Sequence, residues 1–266
     1  MRSLLYTKPG LIGAHLLRYL HGWWSTLHVG AVALVMVLSP STYGQAQRRA
    51  TARYIYASTW LVLPWFTLLA TLVALVIIRI VVVTAQSYGL SGFALEMMVR
   101  VLVLELIPLS AALFVALRAG MAYDSTTFGL VQGSTLPAAV SAARLRQLRA
   151  DLAPLVISHA FSVLSLAMAS SCTVLLLAYV NLYGVSPWGV FEYTRTVGRV
   201  FDPIVTLSFL LKTLLFGMAV AVIPIAAMLE LQRRPRRLSS SVQPGAVRLL
   251  FVLLMIEGAS LALKYI

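Results

Sequence analysis

The sequence predicts an all-α membrane protein: an N-terminal interfacial helix followed by five membrane-spanning helices. Three observations predict it. Of 266 residues, 60% are apolar and only 11% charged, and the mean hydropathy is +0.90, whereas a soluble domain is about half apolar and a quarter charged. The apolar residues fall in runs of the roughly 20 that a helix needs to cross a bilayer. The basic residues gather between those runs instead of spreading over one surface.

Residues 1–40 read as an interfacial elbow. Their apolar stretch, Leu27 to Leu38, is too short to cross and is accompanied by Trp23, Trp24 and the histidines at 15, 21 and 28, which suits a helix lying at the headgroups. The opening MRSLLYTKPG has no signal-peptide core and cleavage site, so it is expected to be retained. Residues 41–266 form one membrane domain, with spans expected near Ile55 to Ala85, Leu95 to Ala119, Ala153 to Tyr183, Ile204 to Leu229 and Val247 to Leu263. The longest connection, residues 121–152, contains an amphipathic helix from Ala138 to Ala150 with Arg144, Arg146 and Arg149 as its polar residues. A docking site for a cytosolic partner and a basic loop at the lipid headgroups both fit it.

The net charge of +13 is a topology signal. With the N-terminus in the cytoplasm, the clusters at Arg48, Arg49 and Arg53, at Arg144 to Arg149 and at Arg233 to Arg237 all fall inside, and the uncharged Gln86 to Ala94 loop falls outside. Only Arg195 and Arg199 oppose the pattern, and the C-terminus is then outside. No solvent-facing domain is left to carry a nucleic-acid interface, which needs a basic face interleaved with readout groups. The single Cys172 lies in an apolar run, so neither an intramolecular disulfide nor a cysteine metal cluster is expected.

Charge inside a bilayer costs a few kcal/mol or more, so each intramembrane ionisable residue is a functional candidate. Arg79 and Glu257 lie near enough to a helix end to snorkel. Glu105 in VLVLELIPL and Lys212 in SFLLKTLLFG are flanked by apolar residues on both sides. Two readings stand for them: they face a polar hollow, pairing with each other or with a ligand headgroup, or they form a buried pair that only ties two helices together. Ile77, Val81, Thr84 and Tyr88 recur at helical spacing and form a stripe suited to an acyl chain, ending in a phenol at the outer interface.

The sequence has no GxxxxGK[ST], HExxH or GxSxG, so neither a catalytic residue nor a bound metal is expected, and ATP-Mg would be handled by a partner. His15, His21 and His28 do not share one helical face, which argues against a haem or metal site.

Three stretches resemble the MlaE (YrbE) permeases of bacterial MCE-type lipid transporters. LELIPLSAALFVALRAG, from Leu104 to Gly120, is similar to that family's RELGP segment and the AGRVG segment after it. SFLLKTLLFGMAVAVIPI, from Ser208 to Ile225, resembles its penultimate span. The order of interfacial helix, five spans and long cytoplasmic loop after the second span is also the family's. Two positions differ within the first stretch: Leu104 stands where the family has arginine and Ile107 where it has glycine. The loop also differs, reading MAYDSTTFGLVQGST from Met121 in place of an AELG stretch and a Glu-Gln pair.

The resemblance implies a permease dimer, formed with a second copy or another permease chain. It implies cytosolic ABC ATPase subunits, an MCE-domain protein on the outer side, a phospholipid or related lipid as cargo, and residence in the bacterial inner membrane. It assigns Tyr88, Glu105 and Lys212 to the lipid pocket, with Leu106, Ile77, Val81 and Thr84 against acyl chains. Contact with the ATPase is assigned to Asp124, Thr126, Thr127 and Gln132 of the loop and to Arg144 and Arg146 of the basic helix. The rival reading is an ion- or proton-coupled carrier that uses Glu105 and Lys212 as its relay; inverted repeats would favour it, and none is visible.

Overall fold

Helices occupy almost all of the residues described in the computed structural model, which are 9–39, 44–131, 138–233 and 245–265. Pro9 opens helix α1 (Pro9–Leu38), a position where its missing N–H costs nothing. The elbow therefore lies within one 30-residue helix, longer than its apolar stretch. Ala33 of α1 is fully buried in a small cluster with Val156, Ala221, Val222 and Ile225, while Trp24, Leu27, Val35 and Leu38 stay exposed.

Helix α2 (Gln45–Ile55) carries Arg48, Arg49 and Arg53 on exposed positions. A π-helical turn, Tyr56–Trp60, leads into α3 (Leu63–Ser87), and the stretch from Arg48 to Ser87 is the first of five helices long and apolar enough to cross a membrane. Gly89, at φ +70, turns the chain where a side chain would be strained. The expected outer loop is thus only a few residues long before α4 (Ser91–Met97). A second π-helix, Met98–Leu106, joins α4 to α5 (Ile107–Val131), and this second span runs from Gly92 to Ala119.

The connection expected at 121–152 is largely helical. Helix α5 runs on to Val131, and α6 (Ala138–Tyr183) contains both the expected basic helix and the third span in 46 residues. Gly184, at φ +67, ends α6. Beyond it lies a helix that the sequence reading lacks, α7 (Val190–Val200). Tyr193 of α7 donates to the Leu175 carbonyl at 2.8 Å, which pins α7 to α6, and Tyr179 donates to the Ser186 carbonyl, which holds the loop before α7 against the end of α6. Burial, with the Tyr183 phenol adding, pushes the Tyr193 hydroxyl up to about 12. The last two spans are α8 (Pro203–Arg233) and α9 (Ala246–Tyr265).

Between helices in lipid the hydrophobic effect gives no preference, and close packing of small residues replaces it. The buried residues fit that account: Ala111, Ala112, Ala167, Ala221, Ser162 and Thr213 are fully buried. The Thr213 hydroxyl bonds back to the Phe209 carbonyl of its own helix at 3.0 Å. Helix α6 lies against α2, α3, α5 and α8, and α8 also carries α1 and α9.

A π turn loosens the regular ladder and leaves carbonyls to other donors, which is why such turns collect at working positions. At the first π turn the Arg118 guanidinium of α5 donates to the Ala57 carbonyl at 2.9 Å, and the Ser162 hydroxyl of α6 donates to the Ser58 carbonyl at 3.0 Å. Arg118→Ala is expected to cost about 1–2 kcal/mol and to raise hydrogen exchange over residues 56–60. Exchange mass spectrometry that finds this segment unaltered would show the contact to be idle.

Candidate functional site

The site begins with a proline. Pro108 has no N–H to give the Leu104 carbonyl four residues back, and this carbonyl lies in the second π-helix. Lys212 of α8 donates to it at 3.3 Å. From that position the Lys212 ammonium also hydrogen-bonds the Glu105 carboxylate. Its other side faces the Phe216 ring, whose centroid lies 5.8 Å away. Lys212 is only 3% exposed. At about 1.5 Å per residue it stands roughly 14 Å along α8 from Pro203, well inside a hydrocarbon layer about 30 Å thick.

A third group completes the cluster. Glu257 of α9 places Oε2 at 2.8 Å from Lys212 Nζ. This corrects the expectation that Glu257 snorkels: its carboxylate turns inward to the lysine. Arg79, by contrast, is exposed on α3. The cluster therefore joins the second, fourth and fifth spans through one ammonium. Glu257 is the residue that sequence reasoning set aside. Its signal was present, a lone carboxylate in an apolar run, but nearness to a helix end concealed that it lies level with Lys212.

The other expected site residues divide. Ile77 and Val81 are half-buried against the main core. Thr84 is exposed, Tyr88 at the cap of α3 is 76% exposed, and Leu106 is 41% exposed. The stripe thus passes from packed to open towards the C-terminal end of α3, and the structure does not draw Tyr88 into the ion cluster. Among the expected ATPase contacts, Asp124, Thr126 and Thr127 fall on the last turns of α5, and Arg144 and Arg146 on the first turns of α6. Gln132 lies outside the described residues, as do the side chains of the other five.

Among the described residues of this arrangement no nucleophile is paired with a base. The arrangement offers a buried charge cluster at membrane depth, beside an apolar face, which is the chemistry of binding. A family model described as permease MlaE matches residues 51–263, a stretch that takes in Glu105, Lys212 and Glu257. Comparison with curated proteins and with solved structures gives no match. With most of the chain covered by the family model and with five helices able to span a membrane, the chain belongs to the MlaE permease family, the transmembrane permeases of lipid transporters.

Proposed function

We propose that the chain is the permease subunit of an ATP-binding-cassette transporter that moves phospholipid. It works as a dimer with a second permease chain in the bacterial inner membrane, with its N-terminus cytoplasmic and its C-terminus periplasmic. A cytosolic ATPase that binds ATP-Mg drives it, and an MCE-domain protein receives or delivers the lipid on the outer side. The observation that carries this reading is the Glu105–Lys212–Glu257 cluster, buried between three spans of a chain of this family.

In this mechanism Tyr88, Thr84 and Leu106, all exposed, meet the lipid, and Ile77 and Val81 form the floor on which the acyl chains lie. Lipid leaves such a site only with energy input, because exposing its tail to water costs about 0.8 kcal/mol per methylene. Helices α5 and α6 supply a route for that energy. Each continues from the segment assigned to the ATPase into a span within one helix, α6 with Pro154 inside it, so a push at Asp124, Thr126, Thr127, Arg144 or Arg146 is carried towards the span.

Reconstituting the chain with its operon neighbours tests the proposal. Lipid transfer between vesicles is expected to require ATP and both partner subunits. Transfer by the chain alone under an ion or proton gradient would overturn the proposal in favour of a secondary carrier.

A further inference from the structure

Helix α7 has no task in the proposed mechanism, yet its outward face carries an ordered stripe. Trp188, just before the helix, and Phe191, Arg195 and Arg199 within it follow one another at three or four residues, the spacing that puts side chains on one helix face. All four are exposed, Trp188 at 91% and Phe191 at 76%. Tyr193, Val197 and Val200 take the opposite face and pack inward. Among the described residues no hydrogen bond or ion pair holds Arg195 or Arg199. Glu192 and Asp202, the carboxylates of this segment, are exposed as well and do not pair with them. The depth of the face follows from one hydrogen bond. The Tyr193 phenol reaches the Leu175 carbonyl, about 12 Å down α6 from its last residue, Tyr183, at roughly 1.5 Å per residue. Helix α7 therefore lies beside the end of a span and not above it. It packs against α4 and the second π-helix, at the end of the bundle where Tyr88 is exposed, and Phe201 and Asp202 lead from it straight into α8.

We infer that the face made by Trp188, Phe191, Arg195 and Arg199 is a seat for phospholipid headgroups: the two guanidinium groups hold lipid phosphates, and the two aromatic rings lie among the glycerol and upper acyl groups. A face at this level meets the headgroup layer, where tryptophan concentrates, and phosphate is an anion whose geometry a guanidinium matches with two parallel hydrogen bonds. Arg195 and Arg199 are also the arginines that oppose the charge pattern of the loops. Phosphate of their own leaflet supplies the anion that the chain does not. The seat is separate from the cluster of Lys212, Glu105 and Glu257, which lies between spans.

The test follows amide exchange over residues 190–200 by mass spectrometry, with the full chain in nanodiscs of phosphatidylglycerol or of the phosphate-free lipid diglucosyldiacylglycerol. Exchange within α8 serves as the reference in each lipid. In phosphatidylglycerol the segment is expected to exchange roughly thirtyfold more slowly than in the glycolipid, the effect of two arginines at an anionic surface. The double variant Arg195→Gln, Arg199→Gln should exchange in phosphatidylglycerol as the natural chain does in the glycolipid. Its thermal unfolding should stay where it was, since the chain itself holds neither arginine. Equal exchange of the natural chain in both lipids, or full protection of the glutamine variant, overturns the inference and leaves α7 held by its tyrosine alone. Protection that arises only after the MCE-domain partner is added also overturns it, and makes the face a protein-docking surface.

Discussion

Lys212→Met is expected to destabilise the chain by about 3–5 kcal/mol, because removing one partner of a buried ion group leaves the others uncompensated. Two carboxylates on separate helices, Glu105 on the second π-helix and Glu257 on α9, would then face each other with no cation between them. The Leu104 carbonyl would also lose the donor that replaces the absent N–H of Pro108. The single variant does not distinguish a binding site from a fastening that ties three spans together. The triple variant Glu105→Leu, Lys212→Met, Glu257→Leu does, since apolar groups of similar volume replace a buried ion cluster at little cost or with a gain of about 1–4 kcal/mol. It is expected to unfold in detergent at or above the temperature of the natural chain, yet to show no ATP-driven lipid transfer when reconstituted with its partners. Normal transfer by a stable triple variant would reduce the cluster to a fastening.

The same cluster shows where the sequence was legible and where it was not. Hydropathy is a property of some twenty residues at once, so single polar positions do not hide it: four of the five expected spans end within three residues of the helices observed, and the first begins seven residues inside the stretch Arg48–Ser87. Glu105 and Lys212 were recognisable because each is charged in the middle of an apolar run. Glu257 was not, because distance from a helix end along the sequence says nothing about which residue of a neighbouring helix stands at the same depth. The two π turns are of the same kind: their carbonyls are satisfied by Arg118, Ser162 and Lys212, donors far away in sequence. Helix α7 left a local trace, with Tyr193, Val197 and Val200 turned inward and Phe191, Arg195 and Arg199 outward. Its 11 residues are too short and too polar for a hydropathy reading to separate from a loop.

Gly217→Leu is expected to damage the contact between α6 and α8 severely. A Cβ at Gly217 would lie 2.3 Å from Ala160 Cα, 2.9 Å from Ala160 N and 3.1 Å from Ala160 Cβ, so the obstacle is the backbone of α6, which no rotamer change removes. Helices α6 and α8 would have to part along their length. Overpacking of this kind costs about 1–3 kcal/mol, occasionally more. Gly217→Ala should fall within that range, and Gly217→Leu should prevent accumulation of folded chain in the membrane. Because the nearest atoms are Cα and N, adding Ala160→Gly should rescue little: it removes only the 3.1 Å neighbour. Gly258 on α9 supplies the contrast. Nothing lies within 4 Å of its added Cβ, so Gly258→Ala should be neutral or stabilise by up to about 1 kcal/mol through helix propensity. Thermal unfolding of Gly217→Ala and Gly258→Ala in one detergent measures the difference. A Gly217→Ala chain as stable as the natural one would show that α6 and α8 do not meet as closely as this glycine implies.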